Sequence, residues 1–510
     1  MLNVTQAKDI KQSSVTEIAD VVVIGSGAGG AVMAYELANA GRRVVLLEAG
    51  PYVPSSEFNE KYADMFERLY VDGAGQTNAD GDLTILQGRC LGGSTVVNAT
   101  AAFRTPSWIL QKWKIRHGVE GMAEADLAPV FEKVEKRLSV HVNQPQEINR
   151  NNLLMREGCE KLGWSVKPMA RNIKNCSLAG YCIAGCRYDR KQSMLVTYVP
   201  WAIEKGAKVY TDTDVEQITT KGSRATGVIA KVRDPKNSRS VSRLTVRARL
   251  VVLSAGAIQS PLVLLRSKIA DSSRMVGKNF ACHPSLAVQG IFDEVVTGWS
   301  GALLGVYCDK FDHPGKGRFL LQGGAGDPYL FAQVLPGLGR EHAQMMTRVN
   351  HMTNLIGLIH DRNVGRVSLK DGVKHIEYRL AKEDKPRIRK AVKAGARIWF
   401  AAGAKKVVLP TIKPIILESE KDVAAINGMP MEPADLRITS YHPQGTCRMG
   451  GDPKTSVVNS RGQCHDVSNL VIADASVLPS SVMVNTQMTT YAIATHFANL
   501  INAEPDRYLG

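Results

Sequence analysis

Two stretches near opposite ends of the chain carry residue types that could act together in one reaction. The segment "YHPQGTCRMG", residues 441–450, contains a histidine followed directly by a proline. Histidine titrates closest to neutral pH, so His442 can take a proton from a hydroxyl group without carrying a permanent charge. Pro443 restricts the backbone of His442 and helps to hold its ring in place. The segment therefore predicts a general base.

The segment "GSGAGG", residues 25–30, has the spacing of a turn that binds a dinucleotide. Glycine permits the tight turn, lets the backbone approach a pyrophosphate and lets the next helix lie close to the strand. The helix N-terminus adds unpaired N–H groups and a positive dipole. An acid at the end of the next apolar strand can accept hydrogen bonds from a ribose diol. The residues expected to contact a dinucleotide here are Gly25, Gly27, Ala28, Gly30, Glu48 and Ala49.

A second glycine-rich loop favours FAD over NAD as that dinucleotide. The loop lies within "GRCLGGSTVVN" and contributes Gly92, Gly93, Ser94 and Asn98. It could be a plain turn, but it lies far along the chain from the first one. A cofactor that reaches well beyond its pyrophosphate, as the flavin ring of FAD does, would need such a second contact. We therefore expect His442 to face the reactive edge of a flavin.

The elements that must position these residues alternate strand and helix. "DVVVI" and "RRVVLLE" are continuously apolar, as expected of parallel strands that are buried on both faces, and an amphipathic helix is predicted between them. "RARLVVLSAGAIQSP" and "NLVIADAS" repeat the strand-to-turn pattern, and "TQMTTYAIATHFANLI" predicts the last helix. The fold class is therefore α/β with a Rossmann-like FAD-binding domain.

Two regions of different texture interrupt these elements. One is rich in helix-forming sequence, and the other mixes strand-like segments such as "GRVSLKDGVKHIEYRL" with a helix from Lys385 to about Ala402. They predict a discontinuous α+β substrate domain that closes over the cofactor. The expected division is residues 1–110, 200–285 and 435–510 for the FAD-binding domain, and 110–200 and 285–435 for the substrate domain.

Composition excludes several other classes of protein. The 510 residues have an ordinary globular balance, with 44% hydrophobic and 22% charged residues. The net charge of +16 is spread along the chain, without a basic helix, zinc-finger spacing or RNA-binding motif, so no nucleic-acid partner is expected. No apolar run is long enough for an integral membrane segment, and no signal peptide stands out. We expect a cytoplasmic enzyme; peripheral membrane attachment or export with a partner stays open.

Five ordered motifs resemble those of the glucose–methanol–choline (GMC) oxidoreductase family over nearly the whole chain. They are "VVIGSGAGG…LLEAG", "GRCLGGSTVVN", "VVLSAGAIQSP", "VGKNFACHP" and "SYHPQGTCRMG" with "IADASVLPSSVMVNTQMTT". The resemblance implies an FAD-binding domain of the p-hydroxybenzoate hydroxylase type. It extends to bacterial FAD-dependent alcohol and glucose dehydrogenases, long-chain alcohol oxidases and cholesterol oxidase, which are similar in having asparagine at the second active-site position.

The resemblance also implies roles for particular residues. His442 matches the catalytic histidine of the family, and Asn485 matches the second active-site position. Where choline oxidase has a flavin-linking histidine, this chain has Val97, which implies FAD held without a covalent bond there. Further cofactor contacts implied by the matching motifs are Val215, Ala255, Gly256, Asp474, Ala475, Asn485 and Thr486.

The expected reaction is oxidation of an alcohol to a carbonyl compound. A hydride passes from carbon to flavin N5, His442 takes the hydroxyl proton, and the Asn485 amide donates a hydrogen bond to the substrate oxygen. The electrons then pass to O₂ or to an electron-accepting protein or quinone. The alternatives are a lyase or isomerase of the same fold and a non-catalytic flavin-binding protein. Which alcohol is oxidised cannot be derived from these motifs.

Three clustered cysteines allow more than one interpretation. Cys176, Cys182 and Cys186 have the spacing C-x5-C-x3-C. They could be reduced structural thiols. They could also bind zinc with a fourth ligand such as Cys159 or a histidine. The same spacing occurs in the cluster ligands of bacterial FAD-dependent glucose dehydrogenases, a resemblance that would imply a 3Fe-4S cluster and an external electron acceptor.

Overall fold

Two large β-sheets carry the fold in the computed structural model, which describes residues 2–315, 317–324, 326–362 and 365–510. The strands are β1 (Ser14–Ile24), β2 (Val44–Leu47), β3 (Leu83–Ile85), β4 (Val140–Val142), β5 (Lys167–Pro168), β6 (Ala170–Asn172), β7 (Lys208–Tyr210), β8 (Thr213–Lys221), β9 (Arg224–Arg233), β10 (Ser240–Leu253), β11 (Lys278–Phe280), β12 (Ser285–Ile291), β13 (Val306–Cys308), β14 (Phe319–Gly324), β15 (Met352–Ile359), β16 (Gly365–Lys370), β17 (Val373–Glu377), β18 (Lys406–Val408), β19 (Ile416–Leu417), β20 (Ile438–Ser440) and β21 (Leu470–Ile472).

The α-helices lie between these strands and at the C-terminus. They are α1 (Ala28–Asn39), α2 (Tyr62–Leu69), α3 (Ser107–His117), α4 (Glu124–Arg137), α5 (Arg150–Lys161), α6 (Tyr198–Glu204), α7 (Gly256–Ser267), α8 (Pro328–Val334), α9 (Gly339–Met346), α10 (Lys385–Ala402), α11 (Gln487–Ala503) and α12 (Pro505–Leu509). None of those described is both long and apolar enough to cross a bilayer.

The first sheet contains the nucleotide-binding elements predicted from the sequence. Its order is β7-β2-β1-β10-β9-β8, and β21 pairs with β10. The strands β7, β2, β1, β10 and β21 are parallel, while β9 and β8 form an antiparallel extension. Because β21 comes from the C-terminal region, the sheet brings both ends of the chain together. The predicted strands and the mixed α/β class are confirmed.

Helix α1 differs from the amphipathic helix that was predicted. Most of its residues are buried, because β1 and β2 cover one side and α6 and α11 cover the other. Its small residues, among them Gly29, Gly30 and Ala34, allow this close packing on all sides. The prediction of a helix was correct, but its amphipathic character was wrong.

The second sheet is mainly antiparallel and forms a core of its own with α5 and α10. Its order is β19-β18-β12-β15-β14-β13-β5, with β20 joining β12 to β3. The predicted helix is confirmed as α10, and "GRVSLKDGVKHIEYRL" forms the hairpin of β16 and β17. Strand β20 leads directly towards His442, so this sheet also positions the predicted base. The domain boundaries given above stay a prediction.

Candidate active site

One large cavity of about 1220 Å³ runs from the glycine turn at β1 to the second sheet. The sequence-predicted residues that line it are Gly25, Gly27, Ala28, Glu48, Ala49, Gly93, Ser94, Asn98, Val215, Ala255, Gly256, Asp474, Ala475, Asn485, Thr486 and His442. Gly30 and Gly92 do not line it. The cavity thus collects residues from both ends of the chain beside the strands of the second sheet.

The first glycine turn has the geometry of a phosphate cradle. Gly25 has a φ of +93°, a conformation that L side chains rarely adopt. A Cβ atom on Gly30 would lie 1.8 Å from the carbonyl oxygen of Gly25, so this glycine serves helix–strand packing. A Cβ on Gly27 would meet no protein atom within 4 Å. Protein packing therefore does not require glycine at residue 27. A pyrophosphate at the N-terminus of α1 would require it, because a side chain there would occupy the space of the phosphates. This turn therefore fits FAD.

Glu48 connects the first glycine turn with the second strand. Its buried carboxylate accepts hydrogen bonds from the Ser26 backbone N–H at 3.0 Å, the Ser26 hydroxyl at 2.6 Å and the Gly50 N–H at 2.8 Å. Burial raises the pKa of this carboxyl group, while the hydrogen bonds oppose the shift. A carboxylate has about four acceptor sites, so one remains for a ribose hydroxyl.

The second glycine loop packs against the first. The Gly92 N–H donates to the Ser26 hydroxyl at 2.8 Å, and a Cβ on Gly93 would lie 2.8 Å from the Gly27 Cα atom. Further along the loop, the Asn98 amide donates to Gln487 Oε1 at 2.8 Å, at the start of α11. The two loops and the C-terminal helix are therefore held as one unit around the cavity.

The C-terminal segment after β21 completes the cofactor end of the cavity. The Asp474 carboxylate accepts hydrogen bonds from the Gly256 N–H at 2.8 Å and the Ser260 hydroxyl at 2.6 Å. A Cβ on Gly29 would lie 1.6 Å from the Ala473 carbonyl oxygen. Sequence reasoning missed Gly29, although it stands inside the quoted glycine motif. Its role is to let α1 pack directly on the C-terminal segment.

At the other end of the cavity, the two predicted catalytic residues are neighbours. Asn485 Nδ2 lies 3.3 Å from His442 Nε2, and Asn485 Oδ1 accepts a hydrogen bond from Gln322 Nε2 at 2.6 Å. Gln322 belongs to β14 of the second sheet and also lines the cavity. Its amide orients Asn485, a contact between residues 163 positions apart that no local pattern signals.

A second histidine contacts the Nδ1 side of the His442 ring. His283 Nδ1 lies 3.2 Å from His442 Nδ1, and Gln444 Nε2 lies 3.2 Å from His283 Nε2. Burial lowers the pKa of His442 to about 4 and lowers that of His283 well below its usual range. Both rings are therefore neutral at physiological pH. Sequence reasoning quoted the segment "ACHP" that contains His283 but gave this residue no role.

The three clustered cysteines lie apart from this cavity, around a much smaller one that Lys191 also lines. All nine cysteines are free thiols, and within the described ranges no three His, Cys, Asp or Glu side chains are placed to hold a metal ion. The buried Lys191 ammonium donates to the carbonyl oxygens of Val96, Asn98 and Cys182. These bonds fasten the cysteine loop to the second glycine loop. The structure gives the iron–sulfur and zinc interpretations no support.

Comparison with known proteins agrees with this geometry. Two family models described as GMC oxidoreductase match residues 66–285 and 361–494, and one described as FAD binding domain matches residues 20–59. An uncharacterized GMC-type oxidoreductase of Mycobacterium tuberculosis is 33% identical over 488 residues, 94% of this chain and 75% of the relative. A long-chain-alcohol oxidase of Arabidopsis thaliana is 26% identical over 507 residues, 93% of this chain and 67% of the relative. Pyridoxine 4-oxidase from Mesorbium loti is similar in structure, with a TM-score of 0.71 at 19% identity over 94% of this chain and 98% of that one.

Proposed function

Because the chain belongs to the GMC oxidoreductase family and contains an FAD-binding domain, we propose that it oxidises an alcohol to a carbonyl compound, with His442 as the base. The observation that carries this proposal is the pairing of His442 Nε2 with the Asn485 amide at 3.3 Å. Both residues line the same cavity as the glycine loops that fit FAD.

FAD, when bound, supplies an acceptor for the hydride that leaves the substrate carbon. The hydroxyl proton must leave at the same stage, and His442 Nε2 accepts it. The substrate thereby loses one hydride and one proton and becomes the carbonyl product. Burial that keeps His442 neutral supports this role, since a protonated imidazole could not act as a base.

We infer that the His283 contact favours the tautomer of His442 that can act as a base. A free lone pair on His442 Nε2 requires the ring proton on Nδ1, which is then donated to His283 Nδ1 at 3.2 Å. His283 in turn carries its own proton on Nε2, which faces the Gln444 amide nitrogen at 3.2 Å. In this tautomer the Gln444 amide presents its oxygen to His283, since the O and N atoms of an amide are assigned from the hydrogen-bond network. His283 is thus a positioning residue for the base.

Asn485 has a complementary role on the substrate side. Its Oδ1 atom is occupied by the hydrogen bond from Gln322, so its Nδ2 group is directed towards His442 Nε2. A substrate hydroxyl that contacts both groups would donate its proton to His442 and accept a hydrogen bond from Asn485. The amide cannot take a proton at neutral pH, so it orients the oxygen and leaves the proton transfer to His442.

We further propose that FAD is held without a covalent bond at the second glycine loop. Val97 lines the cavity at the position expected to face the cofactor, and its alkyl side chain has no group that could form such a bond. Acid precipitation of the purified protein should leave the yellow colour in solution. Flavin that stays with the precipitate would contradict non-covalent binding.

The substrate side of the cavity is largely apolar, which suits an alcohol with a hydrocarbon body. Residues such as Leu303, Leu330, Ile356 and Leu358 line it. One relative named above is a long-chain-alcohol oxidase, and this supports the same class of substrate. Electrons then leave the enzyme to O₂ or to an electron-accepting protein or quinone. Hydrogen peroxide formed in proportion to alcohol consumed would identify O₂ as the acceptor.

The test is anaerobic bleaching of the flavin absorbance by a panel of alcohols, sugars and sterols. We expect bleaching by at least one alcohol, and His442→Ala should slow it by about 100-fold or more, because general base catalysis typically contributes that much. The variant should retain bound FAD, and the exposed His313→Asn is the control. Turnover that leaves the flavin oxidised would favour a lyase or isomerase. An unchanged rate in His442→Ala would disprove the role of this base.

A further inference from the structure

An arginine lies in the wall of the substrate cavity, on the strand that leads to the base. Arg437 directly precedes β20, which ends at Ser440, two residues before His442. The segment from Leu436 to Thr439 lines the cavity, and so do Tyr441 and His442 after the strand. Arg437 and the reacting end of the cavity therefore belong to one continuous wall.

Arg437 has no acidic partner. Of the residues that the structure describes, no Asp or Glu oxygen lies within ion-pair distance of its guanidinium group. Its Nη1 group donates to the Gln333 carbonyl oxygen at 3.3 Å, and its Nε atom is buried without a hydrogen-bond partner. Burial lowers the pKa of this guanidinium group. By contrast Lys374, another cation of the cavity wall, is paired with Asp72.

Arg437 is only half-buried, so part of its guanidinium group stays accessible to an anion that enters the cavity. Among the described residues, the carbonyl of Gln333 occupies only one of the five N–H donors of Arg437, which leaves other donors for a ligand. Gln333 belongs to α8, and this helix also contributes Leu330, Phe331 and Val334 to the cavity wall. A ligand at Arg437 would therefore carry a charged end next to a hydrocarbon body.

The spacing of the strand sets the length of such a ligand. Residues on one face of a strand repeat about every 6.6 Å, so Arg437 stands about 13 Å along the chain from Tyr441. Tyr441 is the neighbour of His442. An extended molecule with its hydroxyl group at His442 could thus reach the guanidinium with its far end.

We propose that Arg437 binds the carboxylate of the substrate, which makes the substrate class an ω-hydroxy alkanoic acid or a hydroxy acid of similar shape. This proposal rests on the proposed function, since it places the hydroxyl group of the same molecule at His442. Planar guanidinium and carboxylate groups match in geometry, and their charge-assisted hydrogen bonds are stronger than neutral ones. The wall between the two ends takes up the hydrocarbon chain.

The experiment compares ω-hydroxy acids, from hydroxyhexanoate to hydroxyhexadecanoate, with alkan-1-ols of equal length in the holoenzyme. We expect kcat/KM of the wild type to favour the hydroxy acid at the best length by about 10- to 100-fold. Arg437→Gln should remove that ratio through KM, and Arg437→Lys should keep part of it. Arg340→Gln, at an exposed position on α9, is the matched control and should keep the full ratio. A wild type without preference, or an Arg437→Gln variant that retains it, would overturn the proposal.

A binding measurement separates this inference from the proposed oxidation. Dodecanoate has the carboxylate but no hydroxyl group, and calorimetry should show it binding to the wild-type holoenzyme about 10- to 100-fold more tightly than to Arg437→Gln. If no alcohol bleaches the flavin, the proposed oxidation fails, and Arg437-dependent dodecanoate binding would still support the anion site. Dodecanoate that binds both proteins equally would refute the site whatever the turnover.

Discussion

The end of the cavity at His442 is lined by uncharged groups that orient one another. His442 contacts Asn485 on one side and His283 on the other, and Gln322 and Gln444 close the network at its two ends. No carboxylate takes part in these contacts. Burial therefore keeps the proposed base His442 neutral, and its hydrogen bonds hold the ring in place.

The first prediction at this scale concerns pH. A base must be neutral to act, and burial lowers the pKa of His442 to about 4 from its usual value near 6.5. The rate of anaerobic flavin reduction by an uncharged alcohol should therefore be flat between pH 8 and about 5, and should fall only as pH approaches 4. Stopped-flow measurements after a rapid pH change avoid prolonged exposure to acid. A loss of rate centred near pH 6.5 would contradict the burial argument.

The second prediction concerns His283. This residue has a φ of +51°, a region in which asparagine is tolerated, so His283→Asn should fold. The shorter amide loses the contact with His442 Nδ1 and no longer selects its tautomer. We expect the rate of flavin reduction to fall about 10-fold. Its pH profile should shift to higher pH, because loss of the ring lessens the burial that lowers the pKa of His442. Equal FAD content in both proteins is the control, and an unchanged rate and pH profile would exclude the positioning role.

At the scale of elements, the glycines between β1 and the first turn of α1 have two different surroundings. Gly27 faces the open cradle, whereas Gly29 presses on the carbonyl of Ala473. Both glycines have negative φ values, so an alanine suits the backbone at either position. The two positions therefore separate cofactor binding from packing within one helical turn.

A pair of alanine substitutions tests this separation. Gly27→Ala adds a methyl group where only the cofactor would lie, so it should lower FAD content while the apoprotein keeps its thermal stability. Gly29→Ala places a methyl group against the Ala473 carbonyl, so it should destabilise the apoprotein by about 1–3 kcal/mol or more. Flavin absorbance and thermal unfolding of each apoprotein measure the two effects. Equal losses of stability would show that Gly27 also serves packing.

At the scale of the whole molecule, a buried histidine connects the second sheet with α3 and with the C-terminal segment. His360 follows β15 of the second sheet, contacts the Trp108 ring of α3 and lies 3.0 Å from the Ser481 hydroxyl, which precedes the Asn485 segment. Burial lowers the pKa of His360 well below its usual range. Such a group links folding stability to pH, because the unfolded chain binds a proton that the folded chain does not.

His360 should therefore make the fold sensitive to mild acid. As pH falls below about 6.5, His360 gains a proton in the unfolded state before it does so in the folded state. The free energy of unfolding therefore declines until pH reaches the pKa of His360 in the folded protein. Buried carboxyls such as Asp361, whose pKa burial raises to about 6, titrate in the opposite sense, so the effect must be measured as a difference. The stability of wild type relative to His360→Asn should fall by about 1.4 kcal/mol per pH unit below pH 6.5. A difference independent of pH would contradict this account.

Local chemistry determined the cofactor end of this protein. The apolar strands, the glycine turn and the acid at residue 48 lie within one strand–helix–strand unit. Neighbouring residues determine the turn conformation and the hydrophobic periodicity of such a unit. The tertiary structure alone placed Gln322 on Asn485 and His283 on His442, across separations of 163 and 159 residues. It also placed Arg437 in the cavity wall without an ion-pair partner among the described residues. The spacing of the three cysteines allowed a metal centre, but the described residues of the tertiary structure form no metal site there. Contacts between distant segments follow from sheet order and packing, and single residues in irregular segments carry no pattern that reveals them.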